Sequence, residues 1–135
     1  MQLSIKENLR EVGFLGLRLF FGGVMAYHGY GKIFGGRMDK FAEGVGQMGF
    51  PFPEFFAWAS ALSELAGGVF LALGLWTRPA AFFILSTMSV AFFIRHRLDP
   101  FKVKELALAY GTVAFAFLMA GGGRWSLDRL LSKKK

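Results

Sequence analysis

The chain has 135 residues, the size of one domain, and 54% of them are hydrophobic whereas only 19% are charged. This balance, with 17 Phe and 18 Gly, is typical of a protein surrounded by lipid and excludes an ordinary water-soluble domain. The net charge of +7 does not predict nucleic-acid binding, because the basic residues are scattered between long apolar runs, and anionic lipid headgroups are the expected counter-charge.

The N-terminal stretch predicts a short interfacial turn followed by a membrane anchor that is retained. Ser4 and Glu7 have the spacing of a capping box, in which each side chain bonds the backbone of the other. The apolar run that follows is too long for a signal peptide and has no evident small-residue cleavage site. We therefore expect no removable leader.

Four apolar runs predict four membrane-spanning helices. A hydrocarbon core about 30 Å thick requires about 20 helical residues, and each run reaches or approaches that length. The last two runs are apolar on every face, whereas the helices of a soluble bundle carry one apolar stripe each. A β-barrel is excluded because the segments are too few to close one. The predicted spans are 13–34, 54–76, 79–97 and 105–122.

Turn and cap signals separate these runs. Three apolar residues at helical spacing predict a short helix in the membrane interface: Phe41, Val45 and Met48. Pro79 suits the first turn of the third span, and Pro100 breaks the chain before the fourth. Ser126 is the expected N-cap of a C-terminal helix. The fold class is therefore an all-α integral membrane protein, an antiparallel four-transmembrane-helix bundle with short interfacial helices, in one domain over 1–135.

Small residues predict where the helices pack, because close backbone approach replaces the hydrophobic effect in lipid. The expected seams are Gly22, Ala26 and Gly29 on the first span, Ser60, Ser63 and Gly67 on the second, and Ala107, Gly111 and Ala114 on the fourth. The basic residues are nearly balanced between the two sides of such a bundle. We expect both termini in the cytoplasm, because the lysine tail at 133–135 is compact and Arg18 lies nearer that side.

Several stretches together resemble the DoxX family of small bacterial membrane proteins. They are LRLFFGGVMAYHGYGKIFGG at 17–36, GFPFP at 49–53, SELAGGVFLALGLWTRPAA at 63–81 and GGGRWSLDRLL at 121–131. The resemblance implies a four-span bundle in the bacterial cytoplasmic (inner) membrane. It also implies a link to quinone or thiol chemistry, since the family name comes from a subunit of a membrane thiosulfate:quinone oxidoreductase and other members are associated with thiol and oxidative-stress defence. This chain has no Cys, which argues against a thiol mechanism of its own.

Two constellations of ionisable residues are candidate ligand sites. Arg18 lies inside the first span, where a charge costs about 2.5 to 3.5 kcal/mol, and Glu64 lies near the middle of the second span. We expect an Arg18–Glu64 contact to offset this cost. The pair would either fix the register of the two helices or form the polar floor of a cavity. His28 and Lys32, four residues apart, share one helix face.

Antiparallel packing is expected to bring Arg95 and His96 to the level of this second pair, near Tyr27, Tyr30 and Trp58. Such a pocket would suit an anion or the carbonyl oxygens of a quinone, with His as the proton donor. The alternative is ordinary interfacial chemistry, in which basic side chains extend to the headgroups. The candidate ligand-binding residues are Arg18, Tyr27, His28, Lys32, Glu64, Arg95 and His96.

Two classes of function follow from these residues and from the family resemblance. The first is an auxiliary or membrane-anchor subunit of a quinone-linked oxidoreductase or an oxidative or thiol-stress system, not catalytic alone, with a quinone as its cofactor and a redox protein or a second copy as its partner. The second is a binding or transport scaffold for a small solute or lipid, with no redox chemistry. No metal site is predicted, because two histidines without clustered carboxylates are a poor ligand set.

Overall fold

The computed structural model describes residues 4–133, which form six α-helices and no β-strand. The helices are α1 (Ile5–Phe34), α2 (Met38–Gln47), α3 (Pro53–Leu73), α4 (Thr77–Val90), α5 (Phe101–Ala120) and α6 (Leu127–Ser132). A π-helical turn, Ala91–Arg95, continues α4 without a break. The all-α prediction is confirmed for these residues, whereas the end of the lysine tail, 134–135, lies outside them.

Three of these helical segments are long and apolar enough to cross a membrane: α3, α4 together with its π-helical turn, and α5. Helix α1 is the longest but does not qualify, because Arg18, His28 and several glycines and tyrosines dilute its apolar residues. The structure therefore supports three of the four predicted spans directly.

Helix α1 begins earlier than predicted and absorbs the expected N-terminal turn. The capping box is present: Ser4 Oγ accepts a hydrogen bond from the Glu7 backbone N–H at 3.2 Å, and Glu7 Oε2 accepts one from the Ser4 backbone N–H at 2.9 Å. The bond from the Ser4 backbone holds the pKa of the Glu7 carboxyl below its usual range. With its first N–H groups satisfied, α1 runs unbroken from Ile5.

The helices lie side by side in the order α1, α3, α4 and α5, and contacts between aromatic rings join α1 to α5. Phe14 lies 5.0 Å from Phe117, centroid to centroid, and Phe21 lies 5.9 Å from Tyr110. Helix α2 packs Ala42 and Val45 against α3, which confirms the predicted short helix. The largest fully buried side chains are Met25, Leu71, Thr77, Ile84 and Phe117.

Glycines bring α1 and α3 into backbone contact. A Cβ added to Gly22 would lie 2.6 Å from the Ala72 nitrogen and 2.6 Å from the Gly68 oxygen. Gly29 meets the Ala61 oxygen in the same way. The predicted seam on α1 is therefore confirmed, but its partners are Ala61, Gly68 and Ala72. The predicted seam on α3 is wrong in part: Ser60 and Ser63 line a cavity, and Gly67 faces α4 instead.

This contact makes a matched pair of substitutions informative. We expect Gly22→Ala to lower the free energy of unfolding by about 2 kcal/mol, because the new methyl group must push two backbones apart. Gly23→Ala is the control, since a Cβ there has nothing within 4 Å, and helix propensity should make it neutral or slightly stabilising. Unfolding in mixed micelles measures both, and equal effects would contradict the close approach.

Candidate functional site

A buried ion pair joins α1 to α3. Lys32 Nζ lies 2.8 Å from Glu64 Oε1 and 2.9 Å from Oε2. Glu64 is only 3% exposed, whereas the Lys32 side chain retains 24% exposure. The same ammonium lies 4.3 Å from the centroid of the Phe41 ring, so an aromatic face from α2 covers it.

The predicted Arg18–Glu64 contact is wrong. Antiparallel packing of α1 on α3 places Arg18 level with Ala72, eight residues beyond Glu64, which is about 12 Å along the helix axis. Lys32, at the other end of α1, is the base that this register brings to Glu64. The sequence indicated Glu64 as the buried acid, but it did not show which of the bases on α1 is its partner.

Arg18 instead binds backbone carbonyls and is only 3% exposed. Its guanidinium donates to Ala72 O at 3.2 Å, to Trp125 O at 2.8 Å and to Gly122 O. Glycine at 74 leaves room for it, because a Cβ there would lie 3.1 Å from the guanidinium carbon. Fixed dipoles of the main chain thus replace the carboxylate that sequence reasoning expected.

The segment after α5 holds this end of the bundle together. The Asp128 carboxylate accepts hydrogen bonds from the backbone N–H groups of Trp76 and Thr77, at 2.7 and 3.0 Å, and so caps α4. Glu11 Oε2 accepts the Arg124 N–H at 2.9 Å. Ser126 caps α6 as predicted. Three of the stretches that carry the family resemblance, 17–36, 63–81 and 121–131, meet here, which gives them a structural role.

A cavity of about 320 Å³ lies in the half of the bundle away from Arg18, between α2, α3 and α4. Its polar lining comprises Lys32, Lys40, Ser60, Ser63, Glu64, Ser86, Thr87 and Arg95. Its apolar lining includes Phe41, Val45, Met48, Phe50, Phe56, Phe83 and Met88. A mainly aromatic and aliphatic wall with a few polar groups, at the lower end of ligand-pocket volumes, is typical of a small-molecule site.

The π-helical turn places Arg95 at the rim of this cavity. The His96 N–H bonds Ala91 O at 3.0 Å, five residues back, which widens the end of α4 by one residue. The Arg95 guanidinium consequently lies against α2, where a Cβ added to Gly44 would be 3.2 Å from Nη1. Such turns occur often at functional sites, and this one adds a third cation, after Lys32 and Lys40, to the lining.

Three of the seven predicted site residues line the cavity: Lys32, Glu64 and Arg95. Arg18 lies at the opposite end, and the Tyr27 side chain is 73% exposed on the outer face of α1. Within residues 4–133, no hydrogen bond or ion pair joins the two histidines to each other or to Lys32. His28 lies beside Tyr110 of α5, with ring centroids 6.2 Å apart, and His96 Nδ1 lies 2.8 Å from Asp99 Oδ2.

Sequence reasoning missed the hydroxyls of α3 and α4 as site residues. Ser60, Ser63 and Glu64 form a polar stripe on an otherwise apolar helix, which was the available signal, but helix packing also explains serines at that spacing. Ser63 Oγ donates to the Ala59 carbonyl at 2.7 Å and Ser86 Oγ to the Phe82 carbonyl at 2.9 Å, the usual bonds of serines on apolar helices. Within residues 4–133 no three His, Asp or Glu side chains are grouped for a metal ion.

Known proteins resemble this chain at the level of sequence. The DoxX family model matches residues 13–97. Inner membrane protein YqjF of Escherichia coli is 30% identical over 133 residues, which cover 95% of this chain and 98% of that protein. An uncharacterized protein of Haemophilus influenzae is 36% identical over 78 residues, 53% of this chain and 58% of the relative. No solved structure matches the chain.

Proposed function

The chain belongs to the DoxX family, and we propose on that premise that it is a four-span protein of the bacterial inner membrane, with α1 as the fourth span. The name of the Escherichia coli relative supports this location. Helix α1 has 30 residues, about 45 Å of helix, and its polar residues Arg18 and Lys32 have partners inside the bundle. Both termini then share one side, and the compact basic tail at 133–135 supports the cytoplasm as that side.

The cavity, in this proposal, binds the headgroup of a quinone. The observation that carries it is the Lys32–Glu64 pair in the wall of an aromatic-lined cavity. An ammonium has three N–H donors, and Glu64 supplies two acceptor oxygens, so one donor remains for a ligand carbonyl. Phe41 and Phe83 line the cavity and supply aromatic surface for a planar ring, and Arg95 is a further donor at the rim.

The protein would then act as the membrane subunit of a quinone-linked oxidoreductase rather than as the catalyst. A bound quinone would be the electron acceptor, and the electrons would come from a partner protein or a bound cofactor, because this chain has no thiol of its own to oxidise. The chain's own residues bind and orient the ring: Lys32 Nζ donates to an oxygen, Glu64 fixes Lys32, and the phenylalanines exclude water.

A solute-binding scaffold without redox chemistry is the second candidate, and the same cavity supports it. Transport is less well supported than binding, because the hydrophobic core that adjoins the cavity at Met88 contains the fully buried side chains of Met25, Leu71 and Phe117. The two candidates differ in cells. Loss of a quinone-dependent electron-transfer rate in membranes that lack the protein would support the first, and changed solute accumulation with normal respiration would support the second.

Binding of decylubiquinone to the detergent-purified protein tests the site. Ser63→Leu should weaken binding about tenfold, because the larger side chain occupies the cavity while Lys32 and Glu64 stay in place. Thr112→Leu is the matched control: both hydroxyls donate to the carbonyl four residues earlier, but Thr112 is on α5 outside the cavity. His28→Ala should also leave binding unchanged. Equal affinities for all variants would contradict the assignment.

A further inference from the structure

A second concave surface lies at the end of the bundle opposite the cavity. We call it the arginine groove, because four arginines line it: Arg10, Arg78, Arg124 and Arg129. They come from α1, α4, the α5–α6 link and α6, which converge on an open space of about 670 Å³. Trp76 also lines it, and its side chain is 66% exposed.

The groove has a surplus of positive charge that the described residues do not neutralise. Its carboxylates, Glu11 and Asp128, already accept hydrogen bonds from backbone N–H groups. Glu11 is also 3.6 Å from Arg10. Within residues 4–133, Arg78, Arg124 and Arg129 have no carboxylate oxygen within 4.0 Å of their nitrogens. Arg78 donates to the Met119 carbonyl at 3.3 Å, but a guanidinium group has five N–H donors, so all three arginines keep donors for an anion.

A buried hydroxyl at the groove provides independent evidence for a ligand. Thr77 lines the groove and is 1% exposed, yet its Oγ1 has no hydrogen-bond partner among residues 4–133. Native proteins rarely leave a buried hydroxyl unpaired, so a ligand or water is expected to bond it. Its neighbours include Gly122, where a Cβ would lie 2.7 Å from Oγ1, so the glycine leaves the space beside the hydroxyl unfilled.

We propose that the arginine groove binds the phosphate group of an anionic phospholipid. Guanidinium groups bind phosphate oxygens through paired N–H donors, and the Thr77 hydroxyl would donate to a further oxygen. Trp76 and Trp125 place the groove at the depth of the lipid headgroups, because exposed Trp side chains favour the membrane interface. Exposed Phe82 on α4 offers an apolar path for an acyl chain beside it.

Native mass spectrometry of protein extracted from nanodiscs tests this site, with phosphatidylglycerol as the probe and phosphatidylcholine as the neutral reference. The double variant Arg124→Gln with Arg129→Gln should retain phosphatidylglycerol about thirtyfold less strongly than the unmodified chain. Arg97→Gln with Lys102→Gln removes the same charge from exposed positions at the other end, and should change retention little. Thr77→Val should weaken retention about fivefold while the protein stays folded.

The outcomes separate a lipid from a free anion. Equal retention by the two double variants would overturn the site, because charge anywhere on the surface would then explain the binding. Inorganic phosphate is the second arm: if it displaces phosphatidylglycerol from the detergent-solubilised chain at equal concentration, the assignment to a lipid is overturned. Retention that depends on Arg124, Arg129 and Thr77 and resists inorganic phosphate supports the proposal.

Discussion

Replacing Arg18 with Leu should lower the free energy of unfolding by about 3 kcal/mol, one of the two largest effects of a single substitution that we expect in this chain. The guanidinium donates to the carbonyls of Ala72, Gly122 and Trp125, and two of these belong to the loop after α5. Leu would leave both loop oxygens without their side-chain donor at a buried end of the bundle. Unfolding in mixed micelles, followed by circular dichroism, measures the loss.

Two further variants separate charge from hydrogen bonding at this position. Arg18→Lys keeps the charge but cannot reach three carbonyls with one ammonium, so we expect about half of the loss. Arg10→Leu removes an exposed arginine of the same helix and should change the stability by less than about 0.5 kcal/mol. If Arg18→Leu is no more harmful than Arg10→Leu, Arg18 does not hold the loop.

Lys32→Met should cost about 3 kcal/mol, and it should cost more than Glu64→Leu. The asymmetry follows from burial: without Lys32 the Glu64 carboxylate is left buried without a cation, whereas without Glu64 the partly exposed Lys32 can turn towards water. Adding Glu64→Leu to Lys32→Met should therefore restore about 2 kcal/mol. A double-mutant cycle on unfolding free energies measures this coupling.

Lys40→Met is the control for the cycle. Lys40 lines the same cavity but makes no ion pair among residues 4–133, so its removal should be nearly neutral and additive with Glu64→Leu. Additive losses for Lys32 and Glu64 as well would show that the pair does not contribute to stability. The same variants report on the quinone proposal, since Lys32→Met should weaken decylubiquinone binding.

The helices could be predicted from the sequence because hydropathy, caps and breakers act locally. The expected span at 54–76 appears as α3, and Ser126 is an N-cap as expected. The predicted start of α1 is wrong by eight residues, because the charged N-terminal turn extends the helix rather than preceding it. Composition also did not show how α1 differs from the other predicted spans. Its length fits a membrane, but its polar residues need partners on neighbouring segments.

The candidate site was only partly predictable, because partner choice depends on register. Glu64 is identifiable from the sequence as the buried acid, but Arg18 and Lys32 both lie on α1, and only the α1–α3 contact at Gly22 decides between them. Backbone carbonyls have no side-chain signature, so the acceptors of Arg18 at 122 and 125 could not be predicted from composition. The π-helical turn that moves Arg95 has no sequence signal that we recognise.

The bonds of Arg18 also set an order of assembly during biosynthesis. Its acceptor Gly122 is 104 residues further along the chain, so both partners exist only after α5 has been synthesised. Before that point, α1 is inserted into the membrane with the Arg18 cation only partly paired. The end of the bundle at Arg18 is then still open. Completion of the fold therefore depends on one long-range step that comes after helix insertion, and such non-local steps are slow compared with helix formation.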